Sequence, residues 1–127
     1  MKTVFSFLAF VALILTSSFT VTSQEQTNAT QSFSCFNSMR VHKQGKNDAS
    51  VSWSVSNPGI AYFIVERSYD GDFFDQAGTV PANSSSMYKH IDKGLFPGYI
   101  HFRVLAVFPD GSSEYSPVET LRIVQRK

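Results

Sequence analysis

The chain has 127 residues, with 11 Lys and Arg against 10 Asp and Glu and a formal net charge of +1. That length holds a single domain of about 100–200 residues, and the near-neutral charge argues against a basic nucleic-acid binder, which usually shows a clustered cationic face. Hydrophobic residues make up 43% and charged residues 17%, which excludes a highly charged disordered tail, and the single cysteine excludes both an intramolecular disulfide framework and a zinc site built on two or more thiolates.

The first predicted element is an export signal. Lys2 gives a positive start, and Val4 to Leu15 is apolar apart from Ser6. This run of about twelve residues is short of the ~20 that a membrane-spanning helix needs. Val21-Thr22-Ser23 forms a small-residue cleavage site, so residues 1–23 read as a signal peptide cleaved near Ser23. The competing readings are an uncleaved anchor and a buried core helix. Export places the mature chain in a periplasm or outside the cell, with no membrane span of its own. Cys35 stands too far beyond the apolar run to be a lipoprotein cysteine. Residues 24–35, polar for most of their length, read as a flexible leader.

The remainder has the pattern of a sheet. Turn signals recur at Gln44-Gly45-Lys46-Asn47-Asp48, Asn57-Pro58-Gly59, Asp70-Gly71, Pro81 to Ser86, Gly94 to Gly98 and Pro109-Asp110-Gly111. Their spacing of about 12–14 residues cuts the chain into seven short segments, which suggests a sandwich or barrel. Ala49, Val51, Trp53 and Val55 alternate with four serines, as a half-buried strand requires. Tyr62 to Val65 is aromatic and β-branched throughout, which suits a central strand. Ile100, Phe102, Val104 and Ala106 are expected to face a core, leaving Leu105 and Val107 outside. Leu121, Ile123 and Val118 are candidates for the last strand. No 3.6-residue apolar stripe follows residue 23, so helix is not expected there.

Several of these pieces, in order, resemble a fibronectin type III domain over residues 36–124. They are Val51-Ser52-Trp53, the third segment Tyr62 to Ser68 with Asp70-Gly71 and Phe73-Phe74, the sixth segment Phe102-Arg103-Val104-Leu105-Ala106-Val107, and Asp110-Gly111-Ser112 with Tyr115-Ser116. The run from Phe63 to Phe74 is similar to a subtype common in secreted and cell-surface bacterial proteins. The resemblance implies a seven-stranded antiparallel immunoglobulin-like sandwich with no catalysis and no cofactor. Two departures stand out. Ile100 occupies the position where the family carries a tyrosine corner, with Tyr99 just before it. No Arg-Gly-Asp triplet is present, so integrin-type adhesion does not transfer. The sequence as it stands shows no second repeat, so a free-standing module is expected.

No arrangement has catalytic spacing. His42, His90 and His101 fall in separate segments and do not form a predicted metal set. Asp70-Gly71-Asp72 with Asp75 lacks the closing bidentate Glu of an EF-hand and reads as a hairpin turn. Cys35, between Phe33 and Phe36, is expected to pack as a small hydrophobe or to link two copies in a homodimer. Asn28 and Asn83 begin glycosylation triplets. Among the aromatics, Trp53, Phe63, Phe74, Tyr88 and Phe102 have core spacing. Tyr62 and Ile64, beside Leu105 and Val107, are predicted to share an outer apolar face, the kind that marks an interface with a protein partner. Tyr69, Phe73, Tyr99 and Phe108 are predicted to be exposed platforms on which sugars stack. The functional expectation is therefore a non-catalytic binding or structural module for a protein or surface partner, with a carbohydrate-binding accessory module as the alternative.

Overall fold

The serine-alternating segment forms a strand, and its neighbours follow from its pattern. In the computed structural model, which describes residues 34–56 and 58–125, the strands are β1 (Phe36–Gln44), β2 (Asp48–Val55), β3 (Tyr62–Ser68), β4 (Asp75–Pro81), β5 (Met87–Asp92), β6 (Gly98–Val107), β7 (Ser113–Tyr115) and β8 (Glu119–Ile123). The predicted signal peptide and residues 24–33 of the predicted leader lie outside the described residues. Among the described residues there is no helix.

Two antiparallel sheets face each other. One has the order β1-β2-β5; the other has the order β4-β3-β6-β7, with β8 also paired to β6. In the first, Met39 and Tyr88 flank Trp53 from β1 and β5. In the second, Phe63 pairs with Ala106 and Val65 with Val104. Alternation then sends one side of each sheet inward. Ala49, Val51, Phe63, Val65, Ile100, Phe102, Val104 and Ala106 are all fully buried. Rings interlock between the sheets: Phe63 meets Trp53 edge-on at 5.3 Å and Tyr88 at 4.6 Å, while Trp53 and Tyr88 stack within their own sheet at 6.0 Å. Such pairs add about 0.5–1.5 kcal/mol each beyond the area they bury.

The structure has eight strands where seven were expected, because the last segment breaks in two. Pro117 has no N–H to give to a ladder. Ser116 bridges the gap: its N–H donates to the Val104 carbonyl at 2.8 Å, and its hydroxyl accepts from the Val104 N–H at 2.8 Å. Val118 consequently lies between β7 and β8, exposed, while Leu121 and Ile123 turn inward. At the tyrosine-corner position Ile100 is fully buried and Tyr99 faces outward, beneath the Arg122 guanidinium at 5.5 Å.

Candidate functional site

Antiparallel register decides which side chains meet on the outer face of the larger sheet. Tyr62 pairs with Val107 and Ile64 with Leu105, so the four residues predicted to share that face stand side by side. Thr79 on β4 pairs with Ile64, and Tyr115 on β7 pairs with Leu105. Tyr62 is 39% exposed and Tyr115 47%, while Ile64, Leu105 and Val107 are half-buried. One row further along, Glu66 pairs with Arg103, whose Nε donates to Glu66 Oε1 at 2.7 Å. The guanidinium lies 3.9 Å from the Phe74 ring centre and 4.0 Å from that of Tyr115. Held between two rings and a carboxylate, the Arg103 guanidinium is a fixed, charge-paired edge of the apolar patch. Phe74, expected in the core, is thus an outer-face residue.

The four predicted stacking platforms do not share a surface. Tyr99 is on the outer sheet face, and Phe73 is exposed in the β3–β4 turn. Phe108 packs half-buried against the core, so it is not a free platform. Its backbone explains this: the Phe108 N–H donates to the Ser112 carbonyl at 2.9 Å and its carbonyl accepts from Gly111, closing the β6–β7 turn over the core edge. Among the described residues, Tyr69 is the one of the four with an aromatic companion, Phe96, at 5.8 Å.

No family model and no curated protein matches the chain. Solved structures do. The sixth fibronectin type III domain of human fibronectin type III domain containing protein 3 matches with a TM-score of 0.59 at 17% identity, over 79% of this chain and 93% of that one. A structure described as a myokine matches with a TM-score of 0.55 at 18% identity, over 74% of this chain and all of that one. The chain has the fibronectin type III fold. Pectate lyase PelI from Erwinia chrysanthemi, solved in complex with tetragalacturonic acid, matches with a TM-score of 0.54 at 16% identity, over 65% of this chain but only 27% of the lyase.

Within this fibronectin type III fold the other candidates take structural places. Asp70 Oδ1 accepts from the Phe73 N–H at 2.9 Å, the Asp72 N–H at 2.8 Å and the Ser68 hydroxyl at 2.9 Å. These bonds, that from Phe73 foremost, pull the Asp70 carboxyl down to about 2. Gly71 takes a φ of 84°, so the segment is a tight turn held by its own acid. His101 Nδ1 lies 2.9 Å from the Thr120 hydroxyl, His90 lies against Gly78, and His42 is exposed. Among the described residues no three His, Cys, Asp or Glu side chains cluster to hold a metal.

Cys35 is buried where the chain enters β1, and its N–H donates to Glu114 Oε2 at 2.9 Å. Burial, reinforced by the Glu114 charge, pushes the thiol from an ordinary 9.0 up to about 11. The thiolate fraction at pH 8 falls roughly 100-fold in consequence. Labelling of native protein with iodoacetamide at pH 8 is therefore expected to run at least about 100-fold slower than labelling in urea, since only the thiolate reacts. Equal rates would show an accessible, ionised thiol.

The sequence pattern assigned neither Tyr115 nor Phe96 to a surface, and did not place Phe74 on Arg103. Tyr115 was recoverable: the Pro109-Asp110-Gly111 turn sets a hairpin whose register puts Tyr115 opposite Leu105. The Arg103–Phe74 contact and the exposure of Phe96 had no signal, because each depends on how a loop folds over a sheet.

Proposed function

We propose that this protein is an exported, non-catalytic binding module that docks a protein partner on the outer face of its larger sheet. The observation that carries the reading is the register that sets Tyr62, Ile64, Leu105 and Val107 side by side, extended by Tyr115 and edged by Arg103. An apolar centre with an aromatic anchor and a guanidinium rim is the composition that interface cores favour. Export follows from residues 1–23, and the absence of catalysis from the lack of any nucleophile–base spacing in the sequence.

The test is a double substitution, Tyr62→Ser with Leu105→Ser, assayed by cross-linking capture in the native host. Removing a central aromatic and its apolar neighbour is expected to weaken partner retention at least about tenfold. Thermal unfolding should stay near that of the unsubstituted protein, because both side chains are already partly exposed. Undiminished retention by the double variant would exclude this face.

A second reading, a carbohydrate-binding accessory module, is favoured by one observation: Tyr69 and Phe96 meet at the loop end of the sandwich, beside a groove. The lyase neighbour shares the fold with this chain over 27% of its own length. Its lyase activity is not carried over here.

A further inference from the structure

The end of the sandwich formed by the β1–β2, β3–β4 and β5–β6 loops holds a groove of about 690 Å³. That volume falls within the ~300–1,000 Å³ of small-ligand sites. Lys43 and Lys46 from the β1–β2 hairpin, Leu95, Phe96 and Pro97 from the β5–β6 loop, and Val124 after β8 line it. Two hydrogen bonds pin the walls together. The Leu95 N–H donates to the Asn47 carbonyl at 2.8 Å, and the Gly94 N–H donates to Asp48 Oδ1 at 3.1 Å. Leu95 is buried and anchors the β5–β6 loop to the core. The concavity is therefore built before any ligand arrives, which lowers the ordering cost of binding.

The chemistry of the lining is specific. Phe96 is 69% exposed, and its ring is steadied by Tyr69 at 5.8 Å. The Phe96 N–H also donates to the Tyr69 hydroxyl at 3.4 Å. Lys43 and Lys46 are exposed, and among the described residues neither forms an ion pair. Asp48, at the foot of the same hairpin, already has one oxygen engaged by Gly94. A matching ligand carries an apolar face and anionic groups on one rigid body. A pyranose uronate has both: its C–H face lies flat on an aromatic ring, and its carboxylate projects from the ring edge toward an ammonium. An acidic peptide offers carboxylates on flexible stems but no flat face for Phe96.

We propose that this groove binds an acidic polysaccharide through its uronate residues, with Phe96 as the stacking surface and Lys43 and Lys46 as the carboxylate partners. The proposal rests on the carbohydrate reading above and names its ligand class and place. The test titrates the processed chain, at low ionic strength, with tetramannuronate and with mannotetraose. These differ in carrying carboxylates or hydroxymethyl groups on the same ring. Tetramannuronate is expected to bind at least about tenfold more tightly and to weaken as salt is raised. Amide resonances of Lys46, Leu95, Phe96 and Val124 should shift, while those of Tyr62 and Leu105 should not. Phe96→Ala, and Lys43→Gln with Lys46→Gln, are each expected to weaken binding about tenfold. All three side chains are exposed, and unchanged Trp53 emission checks that the variants fold.

Equal affinity for the two tetrasaccharides would overturn the anionic selectivity while leaving a carbohydrate module in place. Binding of neither would overturn both. Tetraglutamate binding as tightly as tetramannuronate would assign the groove to acidic peptides and overturn the proposal. Resonance shifts confined to another surface would do the same.

Discussion

Phe63→Ala is expected to cost about 4 kcal/mol of stability, the middle of the range for a buried aromatic truncated to a methyl group. Phe63 is fully buried on β3 and touches three rings, those of Phe36, Trp53 and Tyr88. Its loss removes transfer free energy and leaves a cavity walled by rings from the facing sheet, which cannot close without moving both sheets. A domain of this size has about 5–15 kcal/mol in total, so the variant should be close to its limit at room temperature. Urea unfolding followed by Trp53 emission measures the loss directly, because Trp53 is the single tryptophan and is buried. Tyr88→Phe is the companion variant. It keeps the ring but drops the hydroxyl that donates to the Ser85 carbonyl at 2.8 Å and accepts from the Asn83 N–H at 3.1 Å. It should cost only about 1–2 kcal/mol. A loss below about 1 kcal/mol for Phe63→Ala would show that the two sheets do not depend on this cluster.

The parts of the fold that alternate were legible in the sequence. Ser52 and Ser54 against Val51, Trp53 and Val55 fix which side of β2 is inside, since a one-residue slip would turn both hydroxyls into the core. The same logic separates Ile100, Phe102 and Val104 from Leu105 and Val107 on β6, and it yields the outer patch once β3 is set beside β6. The misreadings fall where periodicity stops. Pro117 interrupts the ladder, and a sequence pattern does not reveal that the Ser116 hydroxyl takes over a backbone bond. Phe73 and Phe74 are consecutive, as are Leu95 and Phe96. In a turn, nothing in the order of residues says which of two neighbours lies on the protein and which faces water. Phe74 settles on Arg103, whose cation offers it a partner on the outer face, and Leu95 takes the buried place that leaves Phe96 outside. Phe108 is drawn inward by the turn its own backbone closes.

Asp92→Ala is expected to cost about 3 kcal/mol, the lower end for breaking a buried ion pair by removing one partner. Asp92 closes β5 in the smaller sheet and is 6% exposed; Arg67 Nη1, from β3 in the larger sheet, donates to both carboxylate oxygens at 2.7 Å. Arg67 Nε is already buried without a partner among the described residues, so losing Asp92 leaves a half-buried guanidinium with its main acceptor gone. The lower end applies because Arg67 keeps some access to water. Replacing both members, Arg67→Met with Asp92→Leu, should restore most of the loss, since apolar pairs often match or exceed the ion pairs they replace. The pair also matters for the loops. Arg67 lies two residues before Tyr69, and Asp92 lies four before Phe96, so the bridge holds the roots of the two loops whose rings meet beside the groove. Asp92→Ala should therefore broaden the Tyr69 and Phe96 ring resonances as well as lower the unfolding midpoint. The double replacement should recover the midpoint but not the sharpness of those rings, because apolar packing restores burial without restoring a fixed geometry. Sharp, unshifted rings in Asp92→Ala would show that the loops are held by the Asn47–Leu95 and Asp48–Gly94 bonds alone.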